Sequence, residues 1–68
     1  MIKIKIAEVR ALREITQVEL AARLGVKQPT VSRWERVNTN LTLVTLAKIA
    51  DALGCSAFDL IEEVSVPR

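Results

Sequence analysis

The chain has only two glycines, and each closes a helix-spaced run of apolar residues that opens on a threonine. Thr16 precedes Leu20, Ala21 and Leu24, and Gly25 follows them. Thr42 precedes Leu43, Leu46, Ala47, Ala50 and Leu53, all expected to face inward, and Gly54 follows. A threonine hydroxyl at a helix start accepts an orphan backbone N–H, and a glycine at the end takes the left-handed conformation that stops the helix. Glu19, three residues after Thr16, completes a capping box, and Ser56 with Asp59 repeats the pattern ahead of a short fifth helix over 57–61. Stops this close together exclude long helices. They predict an all-α domain of five short helices with short connections.

The rest of the chain fits that plan. Residues 2–6 alternate Ile with Lys, which reads as a short strand, although Ile2 and Ile6 at i,i+4 spacing are also compatible with a helix start. The other alternating segment is Val64-Ser65-Val66 before Pro67, so these two ends are expected to pair, within one chain or across a dimer. A first helix is expected over 7–13, and a third from Gln28 to Arg36 with Pro29 in its first turn, where a missing N–H costs nothing. Val31 and Trp34 form the apolar pair of that helix.

Sixty-eight residues make one small domain, read here as residues 1–68, and half of them are apolar. The absence of histidine removes the usual general base and the commonest metal ligand, and the single Cys55 cannot form an internal disulfide. No apolar run approaches the roughly 18 residues of a membrane span, and the N-terminus lacks a signal-peptide core. These features point to a soluble intracellular protein that is not an enzyme and needs no metal or cofactor. Charge is unevenly spread. Residues 1–48 carry nine Lys/Arg against four Glu, whereas residues 49–68 carry Arg68 against Asp51, Asp59, Glu62 and Glu63. A basic body suits an anionic partner.

The most informative stretch is 16–36. Gln17 is followed four residues on by Ala21, four more by Gly25, six more by Val31, and then by Trp34. A small Ala21 lets two helices cross closely, and Gly25 makes a sharp turn. Val31 fastens the second helix to the core and leaves its other face free. This is the helix-turn-helix arrangement, whose second helix enters the DNA major groove. Thr16-Gln17-x-Glu19-Leu20-Ala21-x-x-Leu24-Gly25-Val26 and Gln28-Pro29-Thr30-Val31-Ser32-Arg33-Trp34-Glu35-Arg36 closely resemble the Cro and lambdoid-phage-repressor family, the xenobiotic-response-element type. Leu43-x-x-Leu46-x-x-Ile49-Ala50-x-x-Leu53-Gly54-Cys55-Ser56-x-x-Asp59-Leu60 resembles its last two helices, so the likeness spans about residues 2–61.

The resemblance implies a lambda-repressor-like fold with a five-helix DNA-binding domain and a role for each matching residue. Gln28, Thr30, Ser32 and Arg33 would contact base edges, since Gln pairs with adenine and Arg with guanine. Gln17, at a helix N-terminus, would hold a phosphate, as would Lys27 in the turn and Arg36, Asn38, Thr39 and Asn40 after the recognition helix. Arg10 and Glu35 would form a partly buried structural ion pair and make no DNA contact. Where relatives carry glycine, this chain has Glu14 and Val37. A β-branched residue resists positive φ, so the third helix is expected to run through Val37, with Asn38 left-handed. Lys27 replaces the usual hydroxyl cap of that helix. Trp34 reads as a packing residue and Cys55 as a small hydrophobe. Phe58 falls on the exposed face of the fifth helix, as a surface aromatic or a dimer contact.

Two functions follow. The first is a repressor that binds a palindromic double-stranded operator as a homodimer, in the cytoplasm of a bacterium or from a plasmid or phage. The second is an antitoxin or adaptor that uses the same scaffold to bind a protein.

Overall fold

The computed structural model describes residues 2–36 and 41–63. In chain order they form strand β1 (Ile2–Ile4), helices α1 (Ile6–Leu12), α2 (Gln17–Leu24), α3 (Gln28–Arg36) and α4 (Leu43–Leu53), a 3-10 turn (Ala57–Leu60) and strand β2 (Ile61–Glu63). The local signals act as expected. Thr16 Oγ1 accepts the Glu19 N–H at 3.1 Å, and Glu19 Oε1 accepts the Thr16 N–H at 3.0 Å. Thr42 Oγ1 accepts the Thr45 N–H at 3.1 Å. Gly25 and Gly54 end α2 and α4 with φ of 70° and 74°, and the next N–H groups, of Val26 and Cys55, donate back to Ala21 O and Ala50 O.

Three expectations are corrected. The fifth helix is a single 3-10 turn, so the described residues hold four α-helices. Its Ser56–Asp59 capping box is present, but Ile61 is already extended, with φ −119° and ψ 134°. The two ends do pair, but the described strand partner of β1 is Ile61–Glu63, just ahead of the expected Val64–Val66. The two pair antiparallel within one chain, with Ile2 opposite Glu63, Lys3 opposite Glu62 and Ile4 opposite Ile61. Lys5 N–H extends the zipper to Leu60 O at 2.8 Å. Val64–Val66 lie outside the described residues. The strand stops at Ile4 because Ile6 opens α1 and is buried there. In α4, Leu43 and Ala47 face solvent, and the buried stripe is Leu46, Ile49, Ala50 and Leu53.

Ile6, Val9, Ile15, Leu20, Ala21, Val31, Leu46, Ile49, Ala50, Leu53 and Leu60 form one apolar core, and among the described residues no polar side chain is fully buried with them. At about 25 cal/mol per Å² of apolar surface, such burial is the main stabilising term. Ala21 is 3% exposed, which fits the close crossing that the sequence assigns to it. Arg23 of α2 donates to Ala52 O of α4 at 2.8 Å across the back of the domain. Among the described residues no helix is long and apolar enough to cross a membrane.

Candidate nucleic-acid interface

α3 is held on one side and open on the other. Val31 is fully buried, and Trp34 packs half-buried against the core. Trp34 lines a cavity of about 200 Å³ with Leu24, Val26, Thr45, Lys48 and Ile49, so its packing role holds. The opposite side of α3 presents Pro29, Arg33 and Arg36 exposed, with Gln28, Thr30 and Ser32 half-buried. Lys27 is exposed in the preceding turn. No acidic residue lies in the first turn of α3, so this end of the helix keeps a positive field. Asn38, Thr39 and Asn40 lie outside the described residues, as does the expected extension of α3 through Val37.

The Arg10–Glu35 pair forms as expected and ties α1 to the end of α3. Arg10 Nε donates to Glu35 Oε2 at 2.8 Å and Arg10 Nη2 to Glu35 Oε1 at 3.1 Å. A third donor, Arg10 Nη1, reaches Ile15 O at 2.9 Å. The two side chains are 20% and 8% exposed. Burial pushes the Glu35 carboxyl up, but hydrogen bonds from Arg10 and Gln17 and the Arg10 charge outweigh it. The net pKa lies below the usual carboxylate range. The hydrogen bond to Glu35 raises the Arg10 pKa in turn.

The pair is also linked to the start of α3, a link the sequence does not signal. Gln17 Nε2 donates to Glu35 Oε1 at 2.9 Å. Gln28 Nε2 then donates to Gln17 Oε1 at 2.5 Å. One polar chain therefore runs from α1 through the end of α3 and the start of α2 to the first residue of α3. It joins two residues expected to touch DNA with two expected to be purely structural. The partners are 11, 18 and 25 residues apart, and only the crossing of the helices brings them together.

Two helices joined by the three residues Gly25-Val26-Lys27, with the second helix anchored on one face and polar and basic on the other, define a helix-turn-helix DNA-binding domain. The chain belongs to the helix-turn-helix family of the xenobiotic-response-element (Cro/phage-repressor) type, whose model matches residues 6–60. This is a family of DNA-binding regulators and not of enzymes. The chain is 40% identical over 55 residues to the uncharacterised HTH-type transcriptional regulator y4dJ of Sinorhizobium fredii, spanning 81% of this chain and 71% of that protein. It is 48% identical over 40 residues to the antitoxin HigA1 of Mycobacterium tuberculosis, and 46% identical over 41 residues to the antitoxin HipB of Escherichia coli. These matches span 59% and 60% of this chain, but only 27% and 47% of the two antitoxins. The crystal structure of a Bacteroides fragilis protein named as a candidate DNA-binding protein superposes with a TM-score of 0.82 at 31% identity, covering 91% of this chain and all of that one.

Proposed function

We propose that this chain is a sequence-specific transcriptional regulator that represses by occupying an operator. Residues 1–68 would act as one DNA-binding domain inside a bacterial cell, with α3 in the major groove. The observation that carries this reading is the two-sided character of α3. Val31 and Trp34 face the core, while Gln28, Thr30, Ser32 and Arg33 stand on the side suited to base edges. Gln17, Lys27 and Arg36 flank that face as phosphate contacts, and Asn38, Thr39 and Asn40 complete the set on sequence grounds. One short helix reads few base pairs, and each mismatch costs only about 1–3 kcal/mol. A homodimer on two half-sites about one helical turn apart, roughly 10–10.5 bp, supplies the missing discrimination.

Selection from a random duplex library at physiological salt tests this. The expected result is a symmetric motif. Gln28→Ala and Arg33→Ala should each relax one position of it and weaken binding by about 1–3 kcal/mol. An unenriched pool with only weak, salt-sensitive binding would overturn the reading.

The likeness to two proteins named antitoxins favours one second reading, in which the chain also binds a protein partner. A pull-down by the double variant Gln28→Ala/Arg33→Ala tests it. A partner retained without DNA supports the reading, and none recovered with either the wild type or the variant counts against it.

A further inference from the structure

The chain Glu35–Gln17–Gln28 has a direction. A carboxylate only accepts hydrogen bonds, whereas a glutamine amide offers a donor end and an acceptor end. Glu35 is ionised beside Arg10, with only 8% of its side chain exposed, so Gln17 must turn its Nε2 toward it, and that contact is 2.9 Å. The acceptor end of Gln17 is then left facing Gln28. Gln28 must in turn present its own Nε2 there, and that contact is 2.5 Å. A rotation of either amide by half a turn would set oxygen against oxygen. The Oε1 of Gln28 and its second Nε2 proton remain for a ligand, in an order fixed from inside the domain. Adenine offers N6–H as donor and N7 as acceptor in the major groove, which matches that edge. Guanine offers two acceptors, O6 and N7, and meets the Gln28 oxygen with its own. A glutamine with nothing behind it could rotate to suit either base.

We propose that Glu35 is a positioning residue for base recognition: acting through Gln17, its carboxylate fixes which end of the Gln28 amide meets the DNA, and so sets adenine over guanine at one operator position. The proposal rests on the DNA-binding reading above and deepens it. It gives Glu35 a part in specificity without any contact to DNA.

The test compares library selection by the wild type, Glu35→Gln and Gln17→Leu, scored at the position whose preference is lost in Gln28→Ala. Glu35→Gln makes the chain's first group ambiguous. Gln17→Leu cuts the chain and leaves the Arg10–Glu35 pair in place, so an adenine preference that survives it overturns the proposal even where Glu35→Gln fails to fold. Both variants are expected to lower the adenine-to-guanine ratio at that position about tenfold, within the range for one bidentate contact, and to leave the other positions unchanged. Loss of the phosphate contact of Gln17 alone would weaken all sequences alike and reduce the salt slope by about one. A uniform loss with the ratio intact in Gln17→Leu would therefore overturn the proposal. Should the wild type select no motif, the DNA-binding reading fails by itself. The positioning chain is then read from the side-chain amide NMR signals of the free protein. A Gln28 amide that shifts and exchanges faster in Gln17→Leu supports the chain, and one unchanged from the wild type overturns it.

Discussion

Glu14 carries the one positive φ, 56°, among the described non-glycine residues. Its N–H donates to Ala11 O at 3.1 Å, and the following Ile15 N–H donates to Arg10 O at 3.0 Å, so a left-handed residue is what ends α1 and delivers Ile15 to the core. A side chain in that region costs roughly 1–2 kcal/mol, and glycine gives back part of this through the entropy of the unfolded chain. Glu14→Gly should therefore stabilise the fold by about 0.5–1 kcal/mol in urea titration. A loss of stability would mean that the Glu14 side chain has a compensating partner. The family resemblance implies a glycine here, but the residues do not show that this chain keeps the same backbone with glutamate. The Gly25 and Gly54 conformations, by contrast, are legible because glycine is the residue that adopts them freely.

Glu35 also predicts a pH effect at the scale of one residue. Its folded-state pKa is lowered, so its stabilisation is complete above the unfolded carboxylate value, about 4.3, and is lost as pH falls through the lower folded value. Glu19 acts in the same direction, because hydrogen bonds from the Thr16 backbone and side chain hold its carboxylate down. Urea midpoints should fall steeply below about pH 4. The fall should be shallower in Glu35→Gln, which retains only the Glu19 share. Identical slopes in the two proteins would remove Glu35 from the account.

The helices are stabilised at their ends as much as along their faces. α2 is eight residues long and α4 eleven, too short to persist alone in water. Each relies on a threonine cap, a left-handed glycine and burial of one stripe. Thr16→Ala and Thr42→Ala should each cost about 1 kcal/mol of unfolding free energy. Thr16→Ala should cost more, because it also dissolves the reciprocal Glu19 contact. Thermal denaturation followed by circular dichroism checks this, and equal costs would show that the reciprocal bond adds nothing. Element boundaries here were legible in the residues, since caps and stops act over three or four positions. The fifth helix was not. Its capping box is plain in the residues and forms, but a box sets only a first turn. The extended Ile61 that pairs with Ile4 ends the turn from outside. The outward turn of Leu43 was equally illegible, because helical spacing alone does not say which of two apolar stripes meets the core.

In the whole molecule, the β1–β2 pairing closes the two ends of the described chain on each other within one protomer. The exchange of strands between copies is therefore not needed to satisfy β1. Phe58 is left 83% exposed. The dimer expected on energetic grounds should then use the Phe58 face. Phe58→Ser should shift sedimentation toward monomer while changing stability by no more than about 0.5 kcal/mol, as for an exposed site. A sedimentation profile unchanged by the substitution would place the interface elsewhere.

The residues by themselves determined the helix-turn-helix. Thr16, Glu19, Ala21, Gly25, Val31 and Trp34 each act on neighbours a turn or two away, so their spacing is enough to set two short helices, a tight turn and one free face. The candidate contact residues came from the family resemblance that this stretch carries. Only the tertiary structure decided the partner of β1, the outward turn of Leu43 and the polar chain from Arg10 to Gln28. Those contacts join positions far apart in sequence, and what brings them together is the angle at which packed helices cross. That angle is set by the whole core at once, and no single stretch of the chain encodes it.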